Sequence, residues 1–275
     1  MFSRKLHTGH LLWLVVLILT GCSQYTKVLK SDDVNWKTEM AYTYYEKGDY
    51  TKAGALFDQL APLVSGTQKA DSVFYYLAMN SFKMYDYMIA AHYFNQFVEL
   101  YGNSVFAEDA AYMEAYSYYM ISPRPELDQT DTYKAMEAVQ LFMIRYPDSP
   151  KMAECQRIVL ELREKLMEKS FISAELYYNM GDYKASITAL NNCISEFPDT
   201  GYREDILFML LKSRYMYALN SIPDKRAERY QETIDEYYSF IAEFPESSNK
   251  READNMYEVA SEFVDDFEEI TTLNN

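Results

Sequence analysis

A seven-residue pattern that ends in Gly-Asp-Tyr occurs twice in the sequence, at residues 44–50 and again at residues 177–183. A weaker copy at residues 81–87 ends in Tyr-Asp-Tyr. After each copy come small or apolar residues at positions i, i+4 and i+7, which lie on one face of a helix. In the first copy these residues are Ala53, Phe57 and Leu60. Because short helical units bury a continuous core only when they stack, the pattern predicts a series of helix pairs.

The second helix of four of these units carries a similar stop signal. An aromatic residue is followed by Gly or Pro and then by short polar residues, and these signals are centred on residues 102, 147, 198 and 245. Pro or Gly ends a helix, and Asp, Asn, Ser or Thr after it can cap the next one. With Ser65 counted as the end of the first unit, the ends predict five units, with insertions at residues 122–131 of the third and 220–225 of the fifth.

A two-helix unit with Gly-Asp-Tyr at its turn, a small residue three positions later and Pro at its end resembles the tetratricopeptide repeat. The resemblance implies an all-α fold, a right-handed solenoid of about five helix pairs with a C-terminal capping helix over residues 250–270. We therefore assign repeats one to three to residues 34–149, and repeats four and five with the capping helix to residues 150–275. A generic helical bundle is the alternative, and two seven-residue copies in one chain argue against it.

The N-terminus has the features of a lipoprotein signal. Arg4 and Lys5 precede an apolar run at residues 11–19, whose nine residues would rise about 13.5 Å as a helix, too short to span a bilayer core of about 30 Å. The next residues, Leu-Thr-Gly-Cys at 19–22, resemble the bacterial lipobox. This resemblance implies that residues 1–21 are cleaved, that Cys22 is lipidated and anchors the protein in a membrane, and that residues 22–33 form a tether. An ordinary secreted protein with an incidental cysteine is the alternative.

Composition argues against nucleic-acid binding and catalysis. Removing residues 1–21 takes away two positive charges and no negative ones, so the formal net charge moves from −16 to −18. An acidic chain of this kind is a poor nucleic-acid binder, because phosphate contacts need clustered Lys and Arg. Beyond the signal segment only His92 remains among the histidines, and we find no metal-ligand spacing and no nucleotide-binding or hydrolase motif. We predict a protein that is not an enzyme and needs no metal or other cofactor.

The two cysteines outside the lipobox are predicted to be free thiols. Residues 151–180 contain no Pro or Gly and are predicted to form one helix, after which Gly181 turns the chain. Cys193 would then lie opposite Ser170, roughly 20 Å along the hairpin from Cys155, which is too far for a disulfide. We expect both cysteines to be buried as small apolar residues.

The fifth repeat carries the most specific family resemblance. Residues 227–241, AERYQETIDEYYSFI, and the Glu-Phe-Pro at 243–245 resemble the fifth repeat of the outer-membrane assembly factor BamD family nearly throughout. The resemblance covers the chain from Cys22 to about Phe267. It departs from the family pattern in the first repeat, whose second helix ends at Ser65-Gly66 without an aromatic-Pro stop.

The family resemblance implies a place and a set of partners. The protein would be lipid-anchored on the periplasmic face of the outer membrane, and its C-terminal half would dock the periplasmic domains of the barrel insertase BamA. Other assembly lipoproteins and unfolded β-barrel precursors would be its further partners. Two alternatives remain open at this stage. One is another tetratricopeptide lipoprotein that coordinates cell-wall synthesis or division. The other is a carbohydrate-binding uptake lipoprotein. Such proteins usually bind sugars on exposed Trp side chains, and this chain has a single Trp beyond the signal, Trp36.

A recurring set of aromatic residues predicts a peptide groove in the N-terminal half. Ala41, Ala78 and Ala115 occupy equivalent positions in the first three repeats. The positions expected to face the groove are the residue three before each of these alanines and the residues one, four and five after it. These positions hold Tyr42, Tyr45, Tyr75, Phe82, Tyr112, Tyr116 and Tyr119. Tyr suits a half-exposed surface, so the set could bind an extended, aromatic-containing client segment. The alternative is that these rings only pack between repeats.

Overall fold

The computed structural model of the protein describes residues 24–273, and across that range it contains helices and no strand. A short helical segment at residues 24–29 precedes eleven longer helices. These are α1 (Val34–Glu46), α2 (Tyr50–Val64), α3 (Ala70–Lys83), α4 (Tyr87–Leu100), α5 (Ala107–Ile121), α6 (Thr130–Arg145), α7 (Met152–Asn179), α8 (Tyr183–Glu196), α9 (Arg203–Leu219), α10 (Pro223–Glu243) and α11 (Lys250–Leu273). The predicted all-α class and the succession of helix pairs are confirmed.

The described residues form two compact units. The N-terminal unit comprises residues 24–123 and 129–159, and the C-terminal unit comprises residues 124–128 and 160–273. In the N-terminal unit each of the helices α1 to α6 packs on the next one along the chain. In the C-terminal unit α8 to α11 do the same, and α9 packs on both α10 and α11. Contact with the nearest neighbours along the chain is what a repeat architecture requires.

The core of the N-terminal unit contains small and aromatic residues at equivalent positions of its first two repeats. Each is fully buried: Ala41, Ala53, Phe57, Ala78, Ala90 and Phe94. Small residues on one helix allow the large rings of the next helix to approach closely, so the alternation of Ala and Phe follows from close packing. In the C-terminal unit, Leu211, Phe240 and Ala253 are fully buried in one cluster that joins α9, α10 and α11. The final helix therefore covers the last repeat, as a capping helix should.

The turns within the helix pairs explain the recurring Gly-Asp-Tyr pattern. Gly48 and Gly181 have φ values of 75° and 79°, in the left-handed region that residues with a Cβ rarely adopt. The following Asp accepts a hydrogen bond from a backbone N–H of the next helix, at 3.3 Å from Lys52 for Asp49 and at 3.1 Å from Ala185 for Asp182. Glycine thus permits the turn, and aspartate caps the helix after it.

Tyr85 occupies the same turn position in the second repeat, and its φ of 64° places a bulky residue in the left-handed region. Its side chain is 79% exposed, so little packing is lost when it is removed. We expect Tyr85→Gly to stabilise the protein by about 0.5–1 kcal/mol, because the relieved backbone strain exceeds the added entropy of the unfolded chain. Thermal unfolding followed by circular dichroism should show a melting temperature higher by about 1–4 °C.

The converse variant is Gly48→Ala, since a Cβ at Gly48 would meet no atom within 4 Å and only the backbone conformation opposes it. It should lower stability by about 1 kcal/mol. If both variants melt at the wild-type temperature, the left-handed turn is not a source of strain in this protein.

Both described cysteines, Cys155 and Cys193, are free and buried, as the sequence predicted. Cys155 lies near the start of α7, and Cys193 lies on α8. Cys193 interacts with the Ser170 side chain, the residue expected opposite it, and burial raises the pKa of both thiols above the usual range. Burial and a raised pKa make these thiols unreactive, which is consistent with a packing role.

Part of the segment predicted to be a tether is packed on the first repeat. Val28 is fully buried, and the Tyr25 ring meets Tyr44 edge-on with 5.6 Å between their centroids. The Lys37 ammonium is also buried there and donates to Gln59 Oε1 at 2.7 Å. The chain is therefore held against the first repeat from about residue 24. The predicted signal segment and Cys22 lie outside the described residues.

Candidate functional site

The seven aromatic residues singled out in the sequence all lie in the N-terminal unit, on the first helices of its repeats. Tyr42 and Tyr45 are on α1, Tyr75 and Phe82 are on α3, and Tyr112, Tyr116 and Tyr119 are on α5. Five of them belong to two groups of contacting rings, one on α1 and α3 and the other on α3 and α5, and Tyr75 and Tyr112 belong to neither. The structure differs from the sequence expectation mainly in how deeply individual rings are buried.

The first ring group consists of Tyr42, Tyr45 and Tyr76, and Tyr76 is its centre. The Tyr76 centroid lies 5.0 Å from that of Tyr42 and 5.1 Å from that of Tyr45, with both rings edge-on to it. All three side chains are half-buried, and burial raises the pKa of the Tyr42 and Tyr45 phenols. The Tyr42 hydroxyl donates to Ser72 Oγ at 3.1 Å. The group can therefore present ring edges and a few polar atoms to a ligand.

Sequence reasoning missed Tyr76, because its equivalents in the first and third repeats, Glu39 and Met113, are not aromatic. A search for recurring residues does not find a residue that occurs in one repeat only. The adjacent aromatic triplet Phe-Tyr-Tyr at residues 74–76 was the available signal.

Tyr75 and Tyr112 are buried, each only 8% exposed, so these two rings follow the alternative in which they pack between helices. Tyr75 stacks on Phe106 at 4.6 Å, and its hydroxyl donates to the Asp109 carboxylate. Burial raises the pKa of Tyr112 to about 12, and the Lys151 ammonium lies 4.7 Å from its ring centroid. The neighbouring helices fill the space that a ligand would need.

The second ring group consists of Phe82, Tyr116 and Tyr119, which are half-buried. Tyr116 lies at its centre, with its centroid 6.0 Å from Phe82 and 5.7 Å from Tyr119. The Arg157 guanidinium lies 5.9 Å from the Tyr119 centroid. Half-buried rings of this kind offer apolar area for a partner side chain.

The C-terminal unit holds a different feature, a pair of arginines at the start of α10. Arg229 lies 3.9 Å over the Tyr217 ring and donates to Ser221 Oγ, while Arg226 donates to the Ser221 carbonyl at 3.0 Å. The Nε of Arg226 is buried without a hydrogen-bond partner. Neither guanidinium forms an ion pair with any carboxylate that the structure describes. Although the chain has a formal charge of −16, these two guanidiniums have no carboxylate partner, so they could bind an acidic group of another molecule.

Arg226 and Arg229 were not predicted as site residues, although the insertion predicted at residues 220–225 and the most specific family resemblance at residues 227–241 lie beside them. The signal was two arginines three residues apart at the start of a helix, although only the fold revealed that they lack acidic partners.

Residues 24–273 contain no group of three or more His, Cys, Asp or Glu that could hold a metal ion. Over the same range, no helix is both long enough and apolar enough to cross a bilayer.

The family model described as outer membrane lipoprotein (YfiO) matches residues 33–229. A putative outer membrane protein assembly factor BamD of Aquifex aeolicus (strain VF5) is 24% identical over 229 residues, which cover 82% of this chain and 72% of that protein. The outer membrane protein assembly factor BamD of Rickettsia prowazekii (strain Madrid E) is 21% identical over 215 residues, covering 76% of this chain and 84% of that protein.

Similar solved structures are tetratricopeptide-repeat proteins. The P58(IPK) TPR domain has a TM-score of 0.41 at 16% identity, covering 88% of this chain and 68% of that chain. A TPR-repeat protein of Bacteroides fragilis has a TM-score of 0.40 at 12% identity, covering 85% of this chain and 100% of that chain. The TPR2AB domain of yeast Sti1 has a TM-score of 0.38 at 15% identity, covering 83% of this chain and 98% of that chain.

Proposed function

Because the chain belongs to the outer membrane lipoprotein family whose model matches residues 33–229, we propose that it acts in outer-membrane protein assembly as that family's BamD component. In this role it scaffolds the barrel insertase BamA at the periplasmic face of the outer membrane and helps to receive unfolded β-barrel precursors. It works by binding and not by catalysis. The observation that carries the proposal is the family match over most of the mature chain.

The membrane anchor in this proposal is the lipid on Cys22. The packed segment at residues 24–29 starts two residues after that cysteine, so the first repeat would be held close to the membrane surface. Stable anchoring needs two acyl chains or one chain with a basic patch, and a chain with a formal charge of −16 is a poor source of a basic patch. The lipid must therefore provide the attachment.

The client-binding part of the proposal rests on the two ring groups. Barrel precursors commonly end in an aromatic signal strand, and half-buried tyrosines and a phenylalanine can contact such side chains along the first helices of three repeats. An aromatic pair contributes about 0.5–1.5 kcal/mol beyond its area burial. A few such contacts would hold a client weakly enough to be released to the insertase.

We expect Tyr45→Ala combined with Tyr116→Ala to weaken binding of a labelled peptide that copies the last strand of a β-barrel. The two changes remove one ring from each group, and the loss of about 1.4 kcal/mol or more corresponds to about a tenfold lower affinity. Fluorescence anisotropy measures the affinity, and thermal unfolding measures the stability of the same samples.

Two single variants make this experiment interpretable. Tyr133→Ala is the matched surface control, since Tyr133 on α6 is 55% exposed and belongs to neither ring group. Tyr75→Ala should lower stability by about 3 kcal/mol, because it empties a buried site, while leaving the affinity of the remaining folded protein nearly unchanged. Wild-type peptide affinity in the Tyr45/Tyr116 double variant would place the client site elsewhere.

The insertase-docking part of the proposal rests on Arg226 and Arg229. Both guanidiniums are held by Ser221 and by aromatic rings and lack carboxylate partners in the described chain. A guanidinium that is already oriented loses little entropy on meeting a carboxylate, and it can bind that carboxylate with two hydrogen bonds. An acidic patch on the periplasmic domains of the insertase is the expected counterpart.

A further inference from the structure

A polar groove in the N-terminal unit lies apart from both ring groups. It is a cavity of about 340 Å³ with α2 and α4 as its walls and α3 as its floor. Ala55 lies on one wall, Ile89 and Tyr93 on the other, and Asn80 on the floor. The ring groups are carried by α1, α3 and α5, so a ligand in this groove would meet other side chains than the proposed client does.

Asn80 is buried at 2% exposure, and its Oδ1 has no hydrogen-bond partner. Its Nδ2 has only a weak acceptor, the Met84 sulfur at 3.5 Å. Leaving a buried polar atom unpaired is costly, so such an atom in a cavity wall calls for an explanation. Met84 is 47% exposed, and its unbranched thioether can move aside to open the amide to a ligand.

In the neighbouring repeats, the side chain equivalent to Asn80 has a hydrogen-bond partner within its own helix. Thr43 and Ser117 are the equivalents of Asn80, two residues after the aligned alanines. Each donates its hydroxyl to the carbonyl four residues earlier, at 2.8 Å for Thr43 and 2.6 Å for Ser117. The side chain at this position in the second repeat therefore lacks the internal hydrogen bond that its equivalents form in the repeats on either side.

Gly54 makes room for the Asn80 amide. A Cβ at Gly54 would lie 2.7 Å from Asn80 Nδ2, closer than real contacts allow. The equivalent position in the next repeat, Ala91, carries a Cβ. The small residue on α2 and the amide on α3 therefore belong to one local arrangement.

Two carboxylates without partners flank the groove. Asp58 is on α2, and Asp86 precedes α4. Unlike Asp49 and Asp182 at the equivalent turns, Asp86 makes no capping hydrogen bond with its side chain, and neither Asp58 nor Asp86 is in an ion pair within the described chain. Burial raises the pKa of Asp58, and both carboxylates add to the rise in the pKa of Tyr93.

We propose that this groove receives an arginine side chain of a partner protein, with the Asn80 carbonyl oxygen and the Asp58 and Asp86 carboxylates as acceptors. A guanidinium has five N–H donors in one plane, which suits several acceptors around one cavity better than a compact ammonium does. The apolar walls would pack on the aliphatic part of the side chain, and the Tyr93 ring is available for a cation–π contact.

The test uses the full chain in detergent micelles, labelled with ¹³C at the methionine methyl groups. The Met84 methyl signal, assigned by its loss in Met84→Leu, reports on the groove. N-acetyl-arginine methylamide should shift this signal in a saturable way at millimolar concentration. The matched neutral probe, N-acetyl-citrulline methylamide, should bind at least tenfold more weakly. Free arginine should also bind more weakly than the blocked probe, because its own carboxylate meets an acidic groove.

Variants separate recognition from folding. Asn80→Ser can bond the carbonyl four residues earlier, as Ser117 does, so it should fold at least as stably as wild type and bind the arginine probe about tenfold more weakly. Asp58→Asn with Asp86→Asn should weaken binding by tenfold or more, whereas Asp265→Asn with Asp266→Asn, an equal charge change on α11, should not. Equal shifts with arginine and citrulline, or wild-type binding by the Asp58/Asp86 variant, would overturn the proposal. Because the ring groups are untouched, these results are independent of client binding.

Discussion

Charge reversal at Arg226 and Arg229 should abolish co-purification of the barrel insertase from membranes solubilised in mild detergent. In the C-terminal unit, Ser221 and the Tyr217 and Phe263 rings hold these two guanidiniums in place. An acidic partner would therefore meet cations that are already oriented. Replacing both with glutamate turns each attraction into repulsion. Losses of 2–5 kcal/mol are typical when a close interfacial charge pair is broken, so we expect the amount recovered to fall at least about 100-fold.

The matched control is Lys184→Glu with Arg251→Glu. It makes the same change in charge on the same unit, at two exposed side chains on α8 and α11. It should leave insertase recovery near the wild-type level. Arg226→Gln with Arg229→Gln removes the charges with less change in shape, and circular dichroism of each variant establishes that it is folded.

The identity of the co-purifying protein also distinguishes the functional alternatives. The proposal expects a barrel insertase in the wild-type sample. Recovery of a cell-wall synthase or a sugar transporter in its place would favour one of the alternatives. Full insertase recovery by a folded charge-reversal variant would mean that the docking surface lies elsewhere on the protein.

Replacing Cys22 with alanine should remove the protein from the membrane fraction or leave it as an uncleaved precursor. In the proposed role the lipid is attached to the Cys22 thiol, and residues 24–273 offer no helix that could cross a bilayer in its place. The strongly acidic mature chain is also repelled by anionic lipid surfaces. We therefore expect nearly all of the wild-type membrane-pelleted protein to shift to the soluble fraction, or to run as a larger precursor on a denaturing gel.

Cys193→Ser is the control for this experiment, because Cys193 is a buried free thiol on α8 that cannot carry the anchor in the folded protein. This variant should stay in the membrane pellet and incorporate radiolabelled palmitate. Palmitate incorporation into Cys22→Ala would show that another residue is lipidated and would refute the assignment.

Helices and turns could be predicted because their causes are local. The spacing of apolar residues marks a helix face, Pro and Gly end helices, and Gly-Asp at residues 48–49 and 181–182 provides a left-handed turn and a cap. The predicted capping helix starts at Lys250 as observed. The free thiols were also predictable, since an uninterrupted helix from Met152 to Asn179 keeps Cys155 away from the turn.

The candidate sites were predicted less well, because the burial of their side chains depends on the residues that the neighbouring helix packs against them. Tyr45 and Tyr75 belong to the same recurring aromatic set, yet Tyr45 is half-buried and Tyr75 is buried against Phe106. Nothing within one repeat distinguishes these outcomes. Tyr76, which has no aromatic equivalent in the adjoining repeats, became the centre of a ring group only through contacts between helices.

The sequence by itself determined the all-α class, the repeat unit and most helix boundaries, since these follow from periodicity, capping and helix-stopping residues within one or two turns of the chain. Only the tertiary structure decided which polar groups are left without partners. Asn80 lacks a partner because Gly54 of the preceding helix gives it space but no donor. Arg226 and Arg229 lack acidic partners because the helices around them present aromatic rings and Ser221. Whether a buried polar group finds a hydrogen-bond partner depends on residues distant in sequence, and these come close to it only when the chain has folded.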